Sequence, residues 1–150
     1  MQFEDLKLKR QFLNAVADLG YANPTPIQIQ AIPRVLAGQD VIGVAQTGTG
    51  KTGAYVLPLL QKLKGRHEGQ PRIAILVPTK ELALQAHSAV QGFAAHTSIR
   101  SLVLVGGVGP KTQIAALEGG CEVVVATPGR FMELYLKGAL VTKKLHAMVL

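Results

Sequence analysis

With 150 residues, 48% hydrophobic and 17% charged, the chain is too apolar for disorder and has the length of one globular domain or a piece of one. Sixteen basic against nine acidic residues leave a net +7, spread over both halves of the chain, a balance that favours polyanions such as nucleic acid or nucleotide phosphate. No apolar run reaches the roughly 18 residues of a membrane span, Met1–Asp5 lacks signal-peptide order, and the single Cys121 excludes a disulfide framework. A reduced, cytoplasmic protein is expected.

In chain order, Lys9–Leu19 is an amphipathic helix stopped by Gly20. A second helix opens at the N-cap Thr25 with Pro26 in its first turn, is expected to kink at Pro33, and closes at Gly38. From residue 40 onward, continuous apolar runs alternate with helical patterns. The runs are Val41–Ala45, Ile73–Val77, Leu102–Val105, Val123–Ala126 and Ala147–Leu150. The helical stretches are Lys51–Leu63, Glu81–Ala95, Pro110–Leu117 and Phe131–Leu136, and Gly65–Pro71 is a surface loop. Continuous apolar strands separated by helices predict an α/β fold, a doubly wound parallel sheet flanked by helices. Ligands of such sheets sit beyond the carboxyl ends of the strands. Gln46–Lys51, Pro78–Lys80, Gly106–Gly109 and Thr127–Arg130 should gather there.

The segment Ala45-Gln46-Thr47-Gly48-Thr49-Gly50-Lys51-Thr52 follows a strand pattern and opens a helix, the context that a phosphate loop requires. Glycines let backbone amides turn inward around phosphate, Lys51 reaches the β and γ oxygens, and Thr52 is placed to ligate magnesium. Ala45 stands where the strict pattern has glycine. Hydrolysis also needs an acid at the end of a strand, yet Asp5, Asp18 and Asp40 all precede the loop. The acid is expected beyond Leu150, in a longer protein.

Several segments have two readings. Thr25-x-x-Gln28 is a capping-box pattern, but a glutamine amide can equally read adenine. Gly106-Gly107 is a tight turn or a close approach to a ligand. Thr79 and Thr127 are N-cap candidates whose helix N-termini could also take a phosphate. The few aromatics do not interleave with the basic residues, so nucleic acid would be held by its backbone rather than by stacked bases.

Gly20-Tyr21-Ala22-Asn23-Pro24-Thr25-Pro26-Ile27-Gln28, Ala45–Thr52, Pro78-Thr79-Lys80-Glu81-Leu82-Ala83, Gly106-Gly107 and Thr127-Pro128-Gly129-Arg130 occur in this order. Together they resemble the first RecA-like domain of DEAD-box ATP-dependent RNA helicases, over the whole chain. The resemblance implies that residues 1–38 form a helical segment with the adenine-recognition motif. Residues 39–150 would form a P-loop RecA-like core, incomplete just before an Asp-Glu-Ala-Asp motif. It implies nucleotide contacts from Phe3, Tyr21, Gln28, Ala45, Gln46, Thr47, Gly48, Thr49, Gly50, Lys51 and Thr52, with Lys51 and Thr52 serving catalysis and Thr52 holding magnesium. RNA backbone contacts are implied for Pro78, Thr79, Lys80, Gly106, Gly107, Thr127, Pro128, Gly129 and Arg130. Lys80 stands where the family has arginine, keeping the charge without the bidentate fork. The implied cofactors are ATP and magnesium. The implied partners are RNA and a second RecA-like domain, and the isolated chain is expected to be inactive. Two other classes stay open: a P-loop enzyme acting on DNA, and a non-catalytic nucleotide or nucleic-acid binding module.

Overall fold

A computed structural model describes residues 1–46, 48, 50–63 and 69–150. Thr47 and Thr49 of the phosphate loop, and most of the expected surface loop, lie outside the described residues. The chain divides into two compact units, Met1–Lys64 with Ala89–Ser98, and Gly65–Ser88 with Ile99–Leu150.

The first unit is helical. A 3-10 turn, Phe3–Leu6, precedes helices α1 (Arg10–Asp18), α2 (Pro26–Leu36) and α3 (Lys51–Lys62). Gly20, at φ +83°, ends α1: its amide and that of Tyr21 turn back to the carbonyls of Ala17 and Val16. α2 runs through Pro33 to Leu36, and α3 continues through Pro58. α2 and α3 pack on each other, and Ile32 of α2 and Val56, Leu57 and Leu60 of α3 are buried. Each such side chain contributes about 1.5–3 kcal/mol through its removal from water. Gln61 ties α3 to the N-terminal segment, donating from Nε2 to the Lys7 carbonyl at 2.9 Å and accepting from the Lys9 amide at 2.7 Å. Lys62 Nζ reaches the Val35 carbonyl near the end of α2, at 3.3 Å.

The expected strand Val41–Ala45 does not form. The segment is coil, with Ile42 96% and Val44 90% exposed. A strand persists only when a neighbouring ladder satisfies its amides and carbonyls. This run has no assigned strand partner among the described residues, and Gly43 adds backbone freedom at its centre.

The second unit holds a four-stranded, wholly parallel sheet: β1 (Ile73–Leu76), β2 (Ser101–Leu104), β3 (Val123–Ala126) and β4 (Ala147–Val149), in the order β2-β3-β1-β4. The α/β class read from the sequence is therefore present. All four residues of β3, the continuous run Val-Val-Val-Ala, are buried, as a central parallel strand requires. Helices α5 (Pro110–Glu118) and α6 (Pro128–Leu136) supply Leu117, Phe131 and Leu134 to a core with Ala74, Leu104, Val124 and Ala126. Cys121 fills the same core, where burial pushes its thiol up to about 12. Glu122 is buried and paired with Arg100, whose Nη2 lies 2.7 Å from Oε2, while the Arg100 amide donates to Oε1 at 2.7 Å. Helix α4 (Lys80–Phe93) has residues in both units. No helix among the described residues is long and apolar enough to cross a membrane.

Candidate nucleotide and nucleic-acid sites

In the first unit, both ends of the Gln28 side-chain amide are bonded. Thr25 Oγ1 accepts from the Gln28 amide at 3.4 Å, and Gln28 Oε1 accepts from the Thr25 amide at 3.0 Å, which completes a capping box. Nε2 meanwhile donates to the Gly50 carbonyl at 3.1 Å, within the phosphate-loop segment. With its side chain 2% exposed, Gln28 joins the first turn of α2 to the start of α3.

That junction explains two glycines. Gly50, at φ +85°, is the N-cap of α3, and a Cβ there would stand 2.6 Å from Gln28 Nε2 and 2.9 Å from Thr25 Oγ1. A Cβ on Gly53 would meet Nε2 at 2.9 Å and Phe93 Cζ at 3.3 Å. Gly53 stands within the helical pattern, where periodicity alone does not mark close packing. Gly48 is also left-handed, at φ +83°, but faces open space. Left-handed residues turn successive amides to one side, the geometry of an anion-binding nest.

Three further features of the α3 N-terminus fit an anion. No side chain among the described residues caps it, its first turn has no acidic residue, and Lys51 occupies its first position. A cation at the positive end of a helix is disfavoured by the dipole unless negative charge is present to offset it. The Lys51 side chain is exposed and Thr52 half-buried. Burial raises the Tyr55 phenol above its ordinary value, an effect opposed by its hydrogen bond with the Thr52 side chain. Ala45 is half-buried and Gln46 exposed.

Of the two expected aromatic contacts, Phe3 is buried in the N-terminal turn. Tyr21 is 46% exposed, its ring stacked on Phe93 with centroids 5.9 Å apart and planes 16° from parallel. His96 Nε2 lies 2.6 Å from Asp18 Oδ2 in the same unit, a contact between residues distant in sequence.

The second unit brings three of the four expected ligand segments together. Leu76 and Leu104 are both in register with Ala126, so the chain leaves β1, β2 and β3 at one edge of the sheet. Pro78–Lys80, Gly106–Gly107 and Thr127–Arg130 all start there, with Pro78, Thr79, Lys80, Gly106, Gly107, Pro128 and Gly129 exposed. Gln46–Lys51 belongs to the first unit. Thr79 Oγ1 accepts from the Leu82 amide at 3.2 Å and thus caps α4. Thr127 is the N-cap of α6 in backbone geometry, but its side chain makes no cap hydrogen bond. Lys80 Nζ lies 3.8 Å from the position of a Cβ on Gly107, whose φ is +81°.

Arg130 is held rather than exposed. Its side chain is 10% accessible, with Nη1 donating to the Val108 carbonyl at 2.9 Å and to Gln113 Oε1 at 3.0 Å, and Nε 3.0 Å from Glu133 Oε1. Gln113, itself buried, donates from Nε2 to the Val105 carbonyl at 3.0 Å. Gln113 and Glu133 escaped the sequence reading. A polar residue repeating at i, i+3 after Arg130 was the available signal for Glu133, and nothing local marked Gln113.

A family model described as DEAD/DEAH box helicase matches residues 25–150. The chain is 45% identical over 149 residues to "ATP-dependent RNA helicase DeaD" of Escherichia coli (strain K12), covering 99% of this chain and 24% of that protein. It is also 45% identical over 133 residues to "ATP-dependent RNA helicase drs1" of Botryotinia fuckeliana (strain B05.10), covering 87% of this chain and 17% of that protein. The chain thus spans about a quarter or less of the length of these relatives.

Proposed function

Because the chain belongs to the DEAD/DEAH box helicase family, we propose that it supplies the ATP-binding part and some of the RNA contacts of an ATP-dependent RNA helicase. The observation that carries the nucleotide half is the start of α3. There an uncapped helix N-terminus, left-handed Gly48 and Gly50, and Lys51 lie on one short segment tied to Gln28. Amides from Gly48 to Thr52 would hold the phosphates, Lys51 the β and γ oxygens, and Ala45, Gln46, Thr47 and Thr49 would complete the loop. Half-exposed Tyr21 offers the adenine a ring to stack on. Phe3 is buried in the N-terminal turn, and the Gln28 amide would set adenine preference.

Magnesium fits the donor set. Thr52 would contribute one hard hydroxyl oxygen beside the bound phosphates, and the described residues contain no cluster of acidic, His or Cys ligands that would hold a cation alone. When bound, the ion neutralises charge developing on the transferred phosphoryl group.

The three segments at the carboxyl edge of the sheet would hold RNA by its backbone: Pro78, Thr79 and Lys80, then Gly106 and Gly107, then Thr127, Pro128 and Gly129, with Arg130 held behind the last by its own partners. Contacts of this kind grip phosphate and sugar and ignore base identity. A second RecA-like domain, carried by the part of the longer protein outside this chain, would close over both ligands. The test is ATP hydrolysis by the longer protein with RNA and with DNA. Stimulation by RNA alone is expected, and equal stimulation by both would overturn the RNA assignment.

A further inference from the structure

We propose that Gln113 and Arg130 form a brace which turns the Gly106–Gly109 loop toward an RNA phosphate, and that Arg130 is a positioning residue rather than a phosphate ligand. This rests on the RNA reading of the sheet's carboxyl edge.

The brace seizes the loop at both ends. Gln113 Nε2 takes the Val105 carbonyl at 3.0 Å, and Arg130 Nη1 takes the Val108 carbonyl at 2.9 Å. The two side chains are joined through Gln113 Oε1 at 3.0 Å, and Glu133 fixes the Nε side of Arg130 at 3.0 Å. Every peptide bond here is trans, so each N–H points opposite to the carbonyl of the residue before it. Drawing the carbonyls of Val105 and Val108 inward therefore directs the amides of Gly106 and Gly109 outward. Both glycines are exposed, and neither would meet anything within 4 Å of an added Cβ. Two outward amides spaced by a left-handed Gly107 make a small anion-binding concavity, with Lys80 Nζ nearby to add charge. Arg130 meanwhile commits Nη1 to a carbonyl and an amide oxygen, and Nε to a carboxylate, while only 10% accessible. Its charge is already answered by Glu133.

The experiment is a salt series of single-stranded RNA binding by the longer protein with a non-hydrolysable ATP analogue. For each phosphate ligand removed, the slope of log affinity against log salt becomes shallower by about 0.7. That slope does not depend on the fraction of protein that is folded. Arg130→Gln and Gln113→Leu are each expected to weaken binding up to about tenfold, as loss of one or two hydrogen bonds does, with the slope unchanged. The double variant should be no weaker than either single one, because both cut the same brace. Arg130→Lys should fail like Arg130→Gln, since one ammonium cannot span the three partners. Lys80→Ala is the control that should lower the slope. A shallower slope for Arg130→Gln, or wild-type binding by Gln113→Leu, would overturn the brace while leaving the RNA reading intact. Absence of RNA binding by the wild-type protein would overturn the RNA reading, and with it the ligand assigned to this loop.

Discussion

The N-termini of α2 and α3 meet the same physical demand with opposite outcomes. Each helix begins with amides that its own backbone cannot satisfy. α2 closes its end with its own side chains, Thr25 and Gln28 serving each other's backbone. α3 opens on Gly50 without a side-chain cap and puts Lys51 where the dipole disfavours a cation. One terminus is finished by its own side chains, and the other is the end proposed to take an anion. Gln28 joins them, since the Nε2 left over from the box holds the Gly50 carbonyl.

Breaking the α3 end should have the largest effect. Lys51→Ala in the longer protein is expected to lower ATP hydrolysis by at least about 100-fold, as loss of one transition-state donor typically does. Its thermal midpoint should stay unchanged, because the exposed ammonium has no hydrogen bond or ion pair among the described residues; a falling midpoint would make Lys51 structural. Gly50→Ala acts on the junction itself. It combines left-handed strain with a Cβ only 2.6 Å from Gln28 Nε2, and should cost about 2 kcal/mol in denaturant unfolding together with nucleotide affinity. A neutral result would mean that the two helix ends are not coupled.

On the α2 side the expected effects are smaller and structural. Thr25→Ala should lower stability by about 1 kcal/mol, or about 2–4 °C in midpoint for a chain of this size, while the preference for ATP over GTP persists. Gln28→Ala separates the two uses of that amide. Relaxed adenine preference in competition binding is expected alongside a loss of stability, whereas a stability loss alone would reduce Gln28 to a capping residue. The smallest effect concerns pH. Burial holds the folded Tyr55 phenol above its ordinary value of 10.0, so this stabilisation is complete below pH 10 and fades as pH rises past it. Tyr55→Phe should flatten that alkaline decline in a series of unfolding curves. An unchanged decline would assign it to other groups.

Much of this was legible in the sequence, for reasons that differ by element. Val123–Ala126 could be read as a buried parallel strand because four consecutive apolar residues leave no solvent face, and the structure buries all four. Val41–Ala45 looked similar and is coil, since a strand also needs a partner, which a linear pattern does not record. Thr25 and Gln28 were readable as a box from their spacing of three. The bond from Gln28 to Gly50 spans 22 positions and is set by how α2 packs on α3. Gln113 shows the same limit: an amide in the middle of an ordinary helix acquires its importance from the Val105 carbonyl and the Arg130 guanidinium that the fold delivers to it.

The central claim is that the start of α3 is a seat for a triphosphate. An experimental structure of the longer protein with a non-hydrolysable ATP analogue tests it directly. The account predicts the β-phosphate within hydrogen-bond reach of the amides between Gly48 and Thr52, Lys51 Nζ on its oxygens, and the adenine beside Tyr21 and Gln28. Phosphates bound elsewhere, with Lys51 still turned to solvent, would contradict it.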